Sequence, residues 1–329
     1  SAGTAALYSV FSELYPYRIF IALSFITIVA LGNLRGVKES GRIFAVPTYA
    51  FVVAMALMIG YGLFKAGFGG GLDQISIEEM NPEQAHEAVG MSAVGWFLIL
   101  HAFASGGAAV TGVEAISNGV PAFREPSWKN AAQTLVIMGT MLGLMFVGIS
   151  WLASELHTIP VAGKTVIAQI AEGVYGSSGL GRLMFVFTQF ATMFILIMAA
   201  NTGFADFPRL ASFQAEDSFM PRQLTKRGHR LVYSNGILTL AAMAAVLVII
   251  LGASVSRLIP LYAIGVFLSF TLSQAGMARR HIRLKEQGWR TGLLINGVGA
   301  VVTAVVTVVI SATKFLDGAW VILVMIPIF

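Results

Sequence analysis

Runs of apolar residues long enough to cross a lipid bilayer recur along this chain, and charge is confined to the segments between them. Nothing constrains its fold more. Crossing the hydrocarbon core as a helix takes about 20 apolar residues. In lipid every backbone N–H and C=O must be satisfied inside the segment or against neighbouring protein. Only 11% of the 329 residues are charged and 57% are hydrophobic, whereas soluble domains carry about 25% charge. The expectation is an all-α, multi-pass membrane protein rather than an enzyme. The chain has no cysteine, which excludes disulfides and thiolate metal sites, and its five histidines are scattered without metal-ligand spacing. The net charge of +5 matters through its placement between spans. It implies no nucleic-acid partner, and no cofactor is expected.

Residues 1–12 read as the end of a helix, and residues 19–34, 43–64, 131–153, 183–203, 237–252, 258–276 and 291–312 as spans, with a further one at 318–329. Pro47 sits near the start of its span, where no backbone donor is needed. Residues 154–181 form a polar connector with a short amphipathic helix at about 164–174. In the basic segment 204–235, Phe207, Leu210, Ala211 and Phe213 recur at helical spacing, and this segment is expected to lie along the membrane surface. Both ends of the chain look cut. The expectation is a partial transmembrane transporter domain over residues 1–329, belonging to a longer protein.

Lys and Arg gather at 35–42, 122–130, 209–230 and 279–290, whereas the loop 67–91 carries Asp73, Glu78, Glu79, Glu83 and Glu87 with no Lys or Arg. Cytoplasmic loops are the ones enriched in Lys and Arg. The basic turns are therefore placed inside and 67–91 outside, and the alternation holds through every span.

The span 92–119, which then runs from outside to inside, differs from the rest. It holds Gly106, Gly107 and Gly112, the hydroxyls of Ser105 and Thr111, and an ionisable Glu114. A carboxyl at the centre of a membrane helix costs roughly 2.5–3.5 kcal/mol on insertion scales and is a functional candidate by default. Glycines let a helix unwind, which lipid permits only where the backbone lines a cavity or is buried in protein. A break between Ser105 and Gly112 would release the carbonyls of residues 106–110, and such oxygens coordinate monovalent cations in ion filters. Thr111 adds a hydroxyl. Glu114 falls in the first turn of the resumed half-helix, whose dipole favours a negative charge. The reading is a discontinuous helix carrying a cation and proton site in a secondary transporter. The alternative is a packing helix with a buried, neutral glutamate, Thr111 bonding back to the preceding turn. Tyr262, after Pro260, either faces the cavity or belongs to an interfacial aromatic belt. His101 reads as a packing or pathway residue, and Asn201 and Thr202 as interhelical hydrogen-bonders.

Several runs resemble a known family. In Phe204-Ala-Asp-Phe-Pro-Arg-Leu-Ala-Ser-Phe-Gln-Ala-Glu-Asp-Ser-Phe-Met-Pro-Arg222 an arginine precedes an Ala-x-Asp-x-x-x-Pro pattern. That is similar to the cytoplasmic helix of the amino acid–polyamine–organocation (APC) transporters, where Gly-Val-Glu, here 112–114, also occurs. Three longer runs resemble the KimA-type (KUP-like) potassium importers within that superfamily. They are Asn33-Leu-Arg-Gly-Val-Lys-Glu-Ser-Gly-Arg-Ile-Phe-Ala-Val-Pro-Thr-Tyr49, Thr111-Gly-Val-Glu-Ala-Ile-Ser-Asn-Gly-Val-Pro-Ala-Phe-Arg-Glu-Pro126 and Ala200-Asn-Thr-Gly-Phe-Ala-Asp-Phe-Pro-Arg-Leu-Ala-Ser212. The resemblance implies a LeuT-like fold of two inverted five-helix repeats plus two helices, with this chain starting within the third helix and ending in the twelfth. It implies proton-coupled potassium uptake across the plasma membrane, with K⁺ and H⁺ as the transported species. Thr111 and Tyr262 would serve the ion path, with K⁺ in the Thr111 region, and Glu114 the proton. It also implies that this chain lacks the first helix and the start of the third, and would not transport by itself. The intact protein would be a homodimer held through a cytosolic C-terminal domain. Two other functions fit the residues: a proton-coupled amino-acid permease of the same fold, and a non-transporting membrane scaffold.

Overall fold

The computed structural model describes residues 1–36, 41–69, 71–72, 99–100, 102–103, 106–107, 112, 116, 119–120, 123–226, 228 and 232–315, with 41–43 as backbone only. The described residues form no β-sheet; an isolated bridge joins Val161 and Lys164. The α-helices whose bounds fall among the described residues are, in chain order, α1 (Ala2–Val10), α2 (Arg18–Leu34), α3 (Gly41–Phe68), α4 (Ser127–Glu155), α5 (Val166–Tyr175), α6 (Gly179–Glu216), α7 (Ser234–Ile250), α8 (Val255–Leu284) and α9 (Trp289–Thr313). Six segments among the described residues are long and apolar enough to cross a membrane: Ser12–Leu34, Phe44–Phe68, α4, α6, α8 and α9. Their outer faces stay apolar, with Val136, Leu144 and Ile295 all exposed. A surface of that kind is stable against lipid and not against water. The chain is a multi-pass membrane protein. The expected closing run at 318–329 and most of the acidic loop lie outside the described residues.

The chain divides into two compact units, residues 1–88 with 140–254 and residues 89–139 with 255–329. In the first unit, Met55 and Met58 of α3, Leu152 and Leu156 at the end of α4, Ile170 and Val174 of α5 and Phe185 of α6 share one buried core. Glycine makes the close approach possible: a Cβ at Gly62 would stand 2.6 Å from Leu152, and one at Gly148 2.6 Å from Ile59. With no water to drive apolar association, membrane helices rely on this kind of close packing. A second cluster joins Val29 and Ala30 of α2, Phe204 of α6 and Ile237 of α7. Beside it Asn33 Nδ2 donates to Asn201 Oδ1 at 2.7 Å and to the Val29 carbonyl at 2.9 Å, the interhelical bond expected of Asn201. Arg18 Nε donates to the Gly252 carbonyl just past the end of α7, at 3.0 Å.

Helix α5 is the amphipathic helix expected at 164–174. Thr165 caps it, its hydroxyl accepting from the Ala168 N–H at 3.2 Å. The Gln169 amide donates to the Ile159 carbonyl at 2.8 Å, and Lys164 pairs with Glu172. The span expected to end at Gly203 does not end there: α6 continues unbroken for 38 residues through Pro208 to Glu216. At 1.5 Å per residue that is about 57 Å, well beyond the hydrocarbon core of about 30 Å. Proline removes one donor from the ladder, a loss that membrane helices tolerate when neighbours compensate. Here α7 closes on the site, because a Cβ at Gly236 would stand 2.7 Å from Pro208 Cβ.

In the second unit α8 and α9 form a hairpin, with Ala263, Ile264 and Phe267 packed on Val306 and Ile310. Thr271 and Thr303 join hydroxyls at 3.0 Å across it. Helix α8 runs past the expected end at 276 to Leu284. Arg279, Arg280 and Arg283 therefore ride on its last turns, where positive charge complements the helix dipole.

Candidate functional site

The glycine-rich stretch falls in the second unit. Ala102, Phe103 and Gly106 are helical, Gly107 is in a tighter 3-10 conformation, and Gly112 sits in a turn. Gly112 has φ +100°, a torsion that L side chains rarely adopt and that regular α-helix does not contain. Thr111, Glu114, His101 and Ser105 lie outside the described residues.

Gly107 is held against α8: a Cβ there would stand 3.2 Å from Phe267 Cε2 and 3.4 Å from its Cζ. No described atom lies within 4 Å of a Cβ built at Gly106 or Gly112. The stretch thus meets α8 on the face that also buries Ala263, Ile264 and the α9 core. Tyr262 is on the same helix but half exposed. At 3.6 residues per turn it stands about 140° around the axis from Phe267. The sequence placed Gly107 and Tyr262 on candidate elements; the packing of Gly107 on Phe267 had no signal, since a phenylalanine in an apolar span is unremarked.

A further signal readable in the sequence lies in the first unit. Gln189 interrupts the apolar middle of α6 and is 1% exposed, and neither its amide nitrogen nor its amide oxygen has a hydrogen-bond partner among the described residues. Buried polar groups without a partner are rare in folded proteins. The hydroxyl of Thr4, on α1, which packs along α6, is likewise buried without a partner. No cluster of three or more His, Cys, Asp or Glu that could hold a metal ion occurs among the described residues.

Comparison with known proteins covers the whole of the chain. The sequence pattern of a family described as amino acid permease matches residues 1–329. The potassium transporter KimA of Bacillus subtilis (strain 168) is 43% identical over 330 residues, an alignment that takes in 100% of this chain and 52% of that protein. The chain spans about half the length of the curated relative it matches.

Proposed function

The chain belongs to the amino acid permease family, and on that footing we propose that it is the transport core of a proton-coupled potassium importer in a bacterial plasma membrane. The observation that carries this reading is the 43% identity to a potassium transporter along the entire chain. A backbone turned at Gly112 inside an otherwise spanning segment supports it, since transporters place ion sites where membrane helices are interrupted. In this reading carbonyls before Gly112 and the Thr111 hydroxyl receive K⁺, and Tyr262 serves the same ion path. The intact protein works as a homodimer.

Glu114 is the proton-coupling group. A cation a few ångströms away favours the carboxylate, whereas an empty, dry site favours the neutral acid. Each ligand then alters the affinity for the other by the same factor, which is what coupling requires. Glu114→Gln keeps the size and a carbonyl oxygen but cannot release a proton. In vesicles containing the intact protein, this variant is expected to lose K⁺ uptake driven by a pH gradient while Rb⁺ exchange persists. Proton-driven uptake equal to that of the parent protein would make Glu114 structural.

The family description itself favours a second reading, a proton-coupled amino-acid permease. A substrate carboxylate would dock at a half-helix N-terminus, the region that Glu114 occupies and would make repulsive when ionised. Uptake of amino acids, measured in the same vesicles without K⁺, separates the two.

A further inference from the structure

Of Gly106, Gly107 and Gly112, Gly107 is the one at which an added Cβ would meet a described side chain, and that side chain is Phe267 of α8. Both residues belong to the second unit. The contact falls where the winding of the backbone changes, from α-helical at Gly106 to 3-10 at Gly107. A tightened turn inside a helix often marks a functional hinge. Further along the same stretch the backbone turns at Gly112, with φ +100°.

Phe267 is itself firmly held. It is 6% exposed and shares a buried cluster with Ala263 and Ile264 of α8 and with Val306 and Ile310 of α9. Phe270 meets it edge-on, with ring centres 6.1 Å apart and planes at 81°. Its carbonyl accepts from the Thr271 hydroxyl at 2.8 Å, and that hydroxyl also reaches Thr303 of α9 at 3.0 Å. A close-packed interior transmits a displacement rather than absorbing it. The edge of the ring, Cε2 and Cζ, stands 3.2 and 3.4 Å from where a Cβ at Gly107 would be. With no side chain at 107 the backbone comes up to the ring, so the ring sets how near the stretch approaches α8. Helix α8 also carries Tyr262. One contact therefore fixes the glycine-rich stretch relative to the helix of the other candidate ion-path residue.

We propose that Phe267 is a positioning residue for the transported cation. Acting through Gly107 rather than on the ion, it holds the backbone oxygens of this stretch at the spacing that K⁺ fits. The inference rests on the reading that the interrupted stretch carries a monovalent cation. A binding constellation must be held within about 0.5 Å. In metal sites, losing the groups that orient the ligands costs roughly 10–100-fold in affinity. Leucine at 267 keeps the cluster apolar but has no ring edge to meet Gly107. The cradle then loosens, and a looser cradle loses most for the ion it fits and least for a larger one.

The test is Rb⁺ uptake by the intact protein in proteoliposomes, with K⁺ and Cs⁺ as competitors. The parent protein should prefer K⁺ to Cs⁺. Phe267→Leu should raise the half-saturating K⁺ concentration about tenfold and bring the K⁺/Cs⁺ preference toward unity, with the maximal rate little changed. Gly107→Ala/Phe267→Leu, in which a methyl takes part of the space the ring leaves, should recover part of the preference. Phe270→Leu is the control. It removes a ring from the same cluster, but no Phe270 atom lies within 4 Å of the Cβ built at Gly107, so it should lower thermal stability and leave the preference alone. If Phe267→Leu does not fold, Phe267→Met, close in volume but without the rigid edge, reads the same quantities. Uptake reduced equally for every cation makes Phe267 structural and overturns the proposal, as does a shifted preference in Phe270→Leu. A parent protein that takes up Rb⁺ without preferring K⁺ to Cs⁺ overturns it too, since there is then no fit for Phe267 to set. A parent protein that takes none of the three ions removes the cation reading and this inference with it. A parent protein that discriminates, beside a Phe267→Leu variant with the same preference, removes this inference alone.

Discussion

Gly106, Gly107 and Gly112 look alike in the sequence, yet a side chain would meet a different obstacle at each. At Gly106 no described atom is within 4 Å of a Cβ, and alanine is the better helix former. Gly106→Ala should therefore leave stability within about 0.5 kcal/mol of the parent or raise it. At Gly107 the obstacle is space, 3.2 Å to Phe267 Cε2. Gly107→Ala should cost about 1 kcal/mol, and Phe267→Leu should relieve part of that loss. At Gly112 the obstacle is torsion: with φ +100°, Gly112→Ala should cost about 1–3 kcal/mol, and no change at Phe267 should rescue it. Thermal unfolding of the intact protein in detergent checks all three. A Gly112 variant as stable as the Gly106 variant would mean that the backbone at 112 relaxes into ordinary helix, and the ion-site reading would lose its main local support. The cluster was legible because glycines, hydroxyls and a carboxyl are out of place in a lipid-facing helix. Which glycine is limited by what was not, because Phe267 lies about 160 residues away and carries no mark of its role.

Between elements, the polar link from α2 to α6 is the clearest test of how the first unit is held. Asn33 donates to Asn201 at 2.7 Å and also back to its own helix, so deleting one partner leaves the other a second option. Interhelical hydrogen bonds in membranes contribute about 0.6 kcal/mol on average and up to about 1.7. A double-mutant cycle of Asn33→Leu and Asn201→Leu, read by thermal unfolding, should give a coupling within that range. Zero coupling would mark the contact as incidental to stability. Helix α5 was legible to within two residues because the sequence carries its own start signal, Thr165, followed by an apolar face. The length of α6 was not. The change from apolar to charged residues after Gly203, with Pro208 beyond it, reads as an ending. Yet a helix needs only a continuous backbone ladder, and the packing of Gly236 on Pro208 supplies what the sequence alone does not show. The same bias shortened α8, since arginines were assigned to a connector although the helix carries them on its last turns.

For the whole molecule, orientation in the membrane is an expectation that rests on where charge lies between spans and not on any contact. Basic turns at 35–42, 122–130, 209–230 and 279–290 alternate with acidic or near-neutral connectors, and the bias in Lys and Arg sets topology. The absence of cysteine from these residues makes this directly testable. A thiol introduced as Ser177→Cys, in the connector before α6, should react with a membrane-impermeant maleimide in intact cells. One introduced as Gln287→Cys, in the turn between α8 and α9, should react only after permeabilisation. Both positions are exposed and lie between helices, so reactivity reports side and not burial. Labelling of Gln287→Cys from outside would invert more than a diagram. The segment that carries Gly112 would then run from inside to outside. The arginines of the α8–α9 hairpin would meet the outer leaflet. Labelling in the expected pattern puts the acidic segment 67–91 outside and the basic turns inside, the orientation on which the proposed role of Glu114 in proton-coupled uptake rests.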